Sequence, residues 1–573
     1  MNENMSFKKI WPDDFLNLNG KKKEKETKTC DLPSAPLLSF LNKAAEKYRD
    51  NTALIFYGNK MSYGKLKESS DRFAFALQKL GIEKGDRIAL FLPNCPQFVI
   101  AFYASLKIGA IISPLNPLYS SEELKDILVN SGAKTIISLD IFYNRIKKVK
   151  ETLDLKNIIL TDIAEYLPFP LSFLAKVKEA SDHFKLFFEK EIHYFKKMLE
   201  ESSGEFKTLE IKEEDYAVLM YTSGTTGTPK GVPLTHRNIS ANLEQLGIFI
   251  DKVVKEGKDI VFGGLPFFHI YGLTYVLNFS IRKSLCIVLM PKFHTKTVCE
   301  VIQKYAISIF PGVPAMYSAI FNFCQQSKQK YDFSSIGFWG SGASPCPPAL
   351  IKDIKTLNNA IFIEAYGLTE TSPVLHMNPP LGEQKPGSIG LALPNTECKI
   401  IDPLTKEELS KGEMGELVVR GPQVFSGYWY NQSATKEVLD KDGWFHTKDI
   451  AFQDNDGYFY IHGRSDDMIN VRGEKVWPRE IEEALEKYPG VIKAAVVGVG
   501  DAYYGQAPKA FVTVKNPDTT SSQLINFCKE KLAVYKVPKE IEIVDEIPKS
   551  HLGKVLRYVL RKQESDEKEI VEI

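Results

Sequence analysis

Nothing in this sequence marks it for a membrane interior, an export route or an oxidising compartment. No apolar stretch approaches the ~18 residues that a spanning helix needs, and the N-terminus lacks the pattern of a secretory leader. The eight cysteines stand singly, at 30, 95, 286, 299, 324, 346, 398 and 528, with no Cys-x-x-Cys pair. That spacing suggests neither a zinc site nor a disulfide framework, and a reducing cytoplasm is the simpler setting. Charge of either sign is not in excess: 73 Lys and Arg against 72 Asp and Glu leave a formal net charge of +1. No global field therefore favours nucleic acid as a partner.

What is present is bulk and rhythm. The chain has 573 residues, 44% of them hydrophobic and 25% charged, enough for two to four domains with large cores. Residues 1–35 are polar, with the run Lys21 to Lys28, and read as a solvated tail. From Pro36 helical and strand patterns alternate: helix near Leu37–Tyr48, strand Ala53–Tyr57, helix Tyr63–Leu80, strand Arg87–Leu92, helix Cys95–Lys107, strand Ala110–Ser113. Apolar strands alternating with helices imply a parallel sheet covered on both faces. From about Gly387 short β-like runs take over, which predicts a small antiparallel layer or barrel. Beyond Gly463 the pattern becomes a small α+β unit. The domain expectation is a tail at 1–35, a large domain at 36–463 and a smaller mobile domain at 464–573.

The segment 160–212 breaks this rhythm. Phe184, Phe187, Phe188, Ile192, Phe195 and Leu199 fall on one helical stripe, with lysines around it. Upstream lies the proline-broken apolar run Leu167–Leu174. The stripe is either a helix packed on the parent domain or an interfacial patch that touches lipid.

The densest chemical signal follows an apolar strand at Tyr216–Met220. It is the run Tyr221-Thr222-Ser223-Gly224-Thr225-Thr226-Gly227-Thr228-Pro229-Lys230-Gly231-Val232. Small residues let backbone N–H groups turn inward around an anion, hydroxyls add donors and Lys230 adds a point charge. It is a phosphate cradle, and not the Walker loop, because Pro229 precedes Lys230. Two further strand ends, Phe338–Ala343 and Ile361–Thr371, are placed to line the crevice where ligands sit in open α/β sheets.

These segments occur in one order with Tyr366-Gly367-Leu368-Thr369-Glu370, Trp444–Asp449, Gly463-Arg464-Ser465-Asp466-Asp467 and Pro548–Lys554. In that order the chain, from about Pro36 to Arg561, resembles the adenylate-forming superfamily of acyl-CoA synthetases, luciferases and peptide-synthetase adenylation domains. Within it the chain looks most like the long-chain fatty acid–CoA ligases of prokaryotic type. The resemblance implies an α/β fold: a large N-terminal domain of two parallel α/β layers plus a β-barrel, and a small mobile α+β domain.

It also implies a two-step reaction with ATP, Mg²⁺ and coenzyme A. Catalysis falls to Lys554, Glu370 and Thr369, with Glu370, Thr222 and Thr225 at the metal. Nucleotide contacts fall to Thr222, Ser223, Gly224, Thr225, Thr226, Gly227, Lys230, Gly342, Ala343, Tyr366, Gly367, Asp449 and Arg464. His269, Tyr271, Gly312 and Gly342 line the acyl pocket, Asp466 is the hinge, and Arg472 and Gly473 meet coenzyme A. Two departures stand out: Ser550 replaces a usual threonine, and Lys448 stands where the family often has glycine. Phe268-His269 in place of an aspartate argues for an acid without an amine, such as a fatty acid. The competing expectations are an aryl or short-chain acid–CoA ligase and a silent acyl-nucleotide-binding protein. Peripheral contact with membrane lipid and a homodimer complete the expectations, with no nucleic acid.

Overall fold

The computed structural model describes residues 32, 35–168, 191–202, 204, 206–207, 209–222, 229–471, 474–501, 505–550 and 553–571. Two large sheets and two smaller ones carry it. The first sheet runs, edge to edge, through Ile192–Tyr194, Asn157–Thr161, Thr135–Leu139, Arg87–Phe91, Ile111–Pro114, Tyr216–Thr222 and Lys230–Thr235. All neighbours are parallel except the last pair. The second runs through Leu391–Ala392, Val374–Met377, Ile361–Gly367, Phe338–Ser341, Ile309–Gly312, Ile260–Gly263, Cys286–Leu289, Thr52–Phe56 and Asn59–Ser62. It is parallel from Ile361–Gly367 to Thr52–Phe56 and antiparallel at both edges.

Local signals set the helices. Ser62 accepts from the Lys65 N–H and starts helix Tyr63–Lys79. Ser120 and Glu123 form a capping box for helix Ser121–Ser131, which Gly132 ends in the left-handed region. Helix Pro96–Lys107 has no polar face: every one of its residues is buried. Its Phe98 ring lies 5.4 Å from that of Phe267, and one continuous core joins both large sheets. Burial at its end is tolerable because Lys107 pairs with Asp71.

The four-stranded sheet is antiparallel, in the order Glu397–Ile401, Gly415–Arg420, Phe445–Gln453, Phe459–Arg464. A short turn at Ser465–Asp467 leads to the last sheet. There Val491–Asp501 and Gly505–Val514 form a long antiparallel pair, flanked by Ile469–Val471, Glu474–Val476 and Glu540–Ile543. Helix Arg557–Val571 follows; the acidic composition of its second half hides it from a reading of apolar periodicity.

The stripe expected at 184–199 is corrected where it is described. Residues Ile192–Tyr194 form a strand, parallel to Asn157–Thr161, so sheet hydrogen bonding overrides the helical spacing. The helix begins only at Phe195. Phe195 is fully buried, 4.2 Å from the Phe73 ring centroid, and Ile192 is buried too. These two members face protein. Phe184, Phe187 and Phe188 lie outside the described residues, as does the tail 1–31. Among the described residues no helix is long and apolar enough to cross a membrane.

Candidate active site

The site forms where strand ends from three sheets meet. Gly312 pairs with Ser341, and Ser341 with Glu364, so strands Ile309–Gly312, Phe338–Ser341 and Ile361–Gly367 end along one rim. Gly342 and Ala343 leave that rim together with Tyr366 and Gly367. Ala343 adopts φ +67°, which turns the chain across the strand ends. At Gly367 a Cβ would lie 1.8 Å from the Pro373 carbonyl oxygen, so only glycine allows this approach.

Glu370 sits in a single-turn helix, Thr369–Thr371, that two bonds hold from either side. The Leu368 N–H donates to Thr371 Oγ1 at 3.0 Å, and the Phe425 N–H donates to the Glu370 carbonyl at 2.8 Å. Glu370 is 8% exposed, and its carboxylate accepts from the Tyr428 hydroxyl at 2.8 Å. The same Tyr428 ring carries Lys230 Nζ 5.1 Å from its centroid. Lys230 pairs in register with Thr222 across the hairpin whose connection holds the phosphate-loop residues. Ser223, Gly224, Thr225, Thr226 and Gly227 lie outside the described residues, as do Arg472 and Gly473. Burial, then the Glu370 carboxylate, pushes the Tyr428 hydroxyl up from its ordinary value, so it stays a donor.

Asp449 and Arg464 are register partners on adjacent strands. Asp449 accepts from the Tyr366 hydroxyl, and Arg464 Nη1 lies 3.4 Å from Asp449 Oδ1. Burial works to lower the Arg464 guanidinium, but Asp449, Tyr366, Asp466 and Glu370 outweigh it and leave the group raised. A buried carboxylate with two donors already aimed at it is the partner a pair of vicinal hydroxyls needs.

Lys554 reaches this site from the last unit. Its turn is closed by Ser550: the Ser550 N–H donates to the Lys554 carbonyl at 2.8 Å, and the Lys554 N–H donates to Ser550 Oγ at 3.2 Å. Serine therefore serves this turn. Gly553, at φ +79°, lies against Ala315 on helix Pro314–Gln326, which starts just past Gly312. Lys554 is exposed to solvent. Even so, desolvation, followed by the Arg464 charge, holds its ammonium below the ordinary value against the pull of Asp449 and Asp467.

The residues expected at an acyl pocket are placed as follows. Tyr271 is buried and donates to the Gly340 carbonyl at 3.2 Å; the Tyr317 hydroxyl donates to the same oxygen. A Cβ at Gly342 would lie 3.2 Å from the Tyr271 ring, and one at Gly312 3.0 Å from Tyr317. His269 Nδ1 accepts from the Tyr271 N–H at 3.2 Å. Tyr271–Asn278 winds as a π-helix, all of it buried, a winding often found at functional sites. Sequence reading missed that winding, and it missed Tyr428 and Tyr317, because each touches residues far away in the chain.

Among the described residues no group of three or more His, Cys, Asp or Glu is placed to hold a metal ion. A single buried carboxylate suits a hard cation that arrives with phosphate oxygens as its other ligands; Glu370, and the hydroxyl of Thr222 opposite Lys230 on the hairpin, fit that donor set.

Similarity to known proteins extends over most of the chain. The profile described as AMP-binding enzyme matches residues 41–429, and that of the AMP-binding enzyme C-terminal domain matches residues 480–554. A long-chain-fatty-acid–CoA ligase of Bacillus subtilis (strain 168) is 39% identical over 539 residues, 93% of this chain and 96% of the relative. The ATP-bound crystal structure of MatB from Rhodopseudomonas palustris superposes with a TM-score of 0.81 at 26% identity, over 92% of this chain and 99% of that one. The apo form of the same protein gives 0.72 at 26% identity, over 93% and 99%.

Proposed function

This chain belongs to the AMP-binding enzyme family, and from that premise we propose its reaction residue by residue. The protein is an AMP-forming acid–CoA ligase acting on a fatty acid, as the curated long-chain relatives are named. In the first step a carboxylate oxygen of the acid attacks the α-phosphorus of ATP. The bond to the bridging oxygen breaks, leaving acyl-AMP and pyrophosphate. In the second, the coenzyme A thiol attacks the acyl carbonyl carbon, the bond to AMP breaks and the thiol proton leaves to solvent.

Both reactants of the first step are anions, so positioning and charge neutralisation supply most of the help. Lys554 holds the carboxylate and an α-phosphate oxygen together. Tyr366 and Asp449 fix the adenosine end, with Arg464 beside them. Lys230 and the phosphate loop receive the leaving pyrophosphate. Mg²⁺, when bound with the nucleotide, neutralises phosphate charge; Glu370 and Thr222 would hold it, and Tyr428 fixes the Glu370 carboxylate. Tyr271, Gly312 and Gly342 line the start of the acyl channel, and Arg472 and Gly473 meet coenzyme A after rotation about Asp466.

The observation that carries this reading is the seating of the Gly553–Lys554 turn against Ala315, at the start of the helix that follows Gly312. The closer likeness to ATP-bound than to apo MatB supports the same arrangement. A panel of straight-chain and aryl acids, read as AMP release dependent on Mg-ATP and coenzyme A, tests it. Release with medium or long straight chains is expected. No release with any acid overturns the enzyme reading, and release with benzoate- or cinnamate-like acids alone overturns the fatty-acid reading. We also propose lipid contact through the apolar run Leu167–Leu174, a reading that is lost if the protein fails to co-sediment with anionic vesicles at low salt.

A further inference from the structure

Lys448 is out of place by backbone criteria. It adopts φ +59°, a left-handed conformation in which a long side chain is disfavoured and glycine fits without cost. The backbone there is needed: the Lys448 N–H donates to Glu416 Oε1 at 3.3 Å, and the next residue is Asp449. Nothing in this turn requires an ammonium. Yet the side chain points across the junction between units, and Nζ lies 3.8 Å from Oδ1 of Asp466.

The other side of Asp466 is held by different charges. Its carbonyl accepts from Arg561 Nη2 at 3.4 Å, and the neighbouring Asp467 pairs with Arg561 and, at 3.4 Å, with Arg557. Both arginines lie on helix Arg557–Val571, which a second cluster fastens to its own sheet: Lys509 Nζ lies 2.5 Å from Glu564 and 2.9 Å from Glu540. The arginines thus travel with the last unit. Lys448 stays with the four-stranded sheet. Lys448 to Asp466 is therefore an ion pair from the four-stranded sheet to the residue read as the hinge, whose other side is held by the last unit.

We propose that Lys448 is a positioning residue for the first half-reaction: it holds Asp466, and through it the unit carrying Lys554, in the orientation seen here. This deepens the reading above and rests on Asp466 being the hinge. The pair is one-third exposed on both sides, so its strength is that of a surface bridge. Losing it should shift the balance of the two orientations by roughly two- to fivefold, and salt should screen it.

The test compares Lys448→Gly with Lys448→Arg in the full-length protein. Acyl-AMP formation is read by ATP–pyrophosphate exchange, and thioester formation from supplied acyl-AMP. Lys448→Gly should lower the first rate relative to the second by roughly two- to fivefold and flatten its ionic-strength dependence. Its thermal midpoint should stay level or rise, because glycine suits the backbone. Lys448→Arg should restore the ratio. Equal losses in both half-reactions, or an unchanged ratio with unchanged salt dependence, would overturn the proposal. An activity-free readout, energy transfer between dyes at Glu413 and Asp518, should report a shifted orientation in Lys448→Gly alone. If dyes report the shift while no acid supports AMP release, the hold of Lys448 on the orientation stands, but its role in the half-reaction falls with the ligase reading.

Discussion

Tyr428→Phe removes one oxygen from the centre of the site and nothing else. The hydroxyl donates to Glu370 Oε1 at 2.8 Å, while the ring carries Lys230 Nζ. Phenylalanine keeps the ring and so keeps the lysine's perch. A hydrogen bond to a charged group contributes about 1.5–3 kcal/mol, which is roughly 10- to 150-fold in a rate that depends on it. If Glu370 serves the metal-bound pyrophosphate end, the loss falls on kcat/KM for Mg-ATP in acyl-AMP formation. Thioester formation from supplied acyl-AMP involves no pyrophosphate and should be unchanged. Tyr428→Leu removes the ring as well, and the lost cation–π contact should cost a further ~0.5–1 kcal/mol, another two- to fivefold. Single-turnover pyrophosphate release, measured beside the thioester reaction, separates these. A Tyr428→Phe enzyme that matches the parent in the first step, or loses both steps alike, refutes the role given to this hydroxyl.

Other outcomes follow from the same geometry. Lys554→Ala should slow acyl-AMP formation by about 10²–10³ while sparing thioester formation, since one positioned charge is worth roughly 3–4 kcal/mol; equal damage to both steps in single-turnover assays would misplace it. His376 is fully buried with neither ring nitrogen hydrogen-bonded, and burial lowers its pKa from 6.5 to about 3. A depressed histidine contributes stability above pH 6.5 that is lost as pH falls toward 3, so urea melts at pH 7 and pH 5 should differ by about 2 kcal/mol from this group. His376→Leu should remove that share of the slope, and an unaltered slope would show the ring is hydrated. Phe195→Ala should cost about 3–5 kcal/mol and lower the thermal midpoint; a stable variant would put the residue outside the core.

The sequence made the strands of the large sheets legible because each is a short apolar run between turn residues. Lys554, Glu370 and Asp449 are proposed for the site because each stands in a local motif. What the sequence hid depends on distance along the chain. Tyr428 donates to Glu370, 58 residues away, and no local pattern links them. Ile192–Tyr194 reads as part of a helical stripe, and only its pairing with Asn157–Thr161 makes it a strand. The π-helix at Tyr271–Asn278 has the composition of any buried helix; its winding follows from packing that places Gly272 against the Pro266 carbonyl. Lys448 was visible as a departure, but its partner was not.

Arg464 is locked in register opposite Asp449, and the turn at Ser465–Asp467 begins one residue later. On the hinge proposed above, a swing about Asp466 moves Lys554 while Arg464 and Asp449 keep their register and, with it, the proposed adenosine contacts. The intermediate need never be handed over: the enzyme exchanges the tools around it. Free acyl-adenylate should consequently be scarce in the medium even when coenzyme A is withheld, and pyrophosphate should leave before the thiol arrives. Such an order appears as parallel lines in double-reciprocal plots of ATP against coenzyme A.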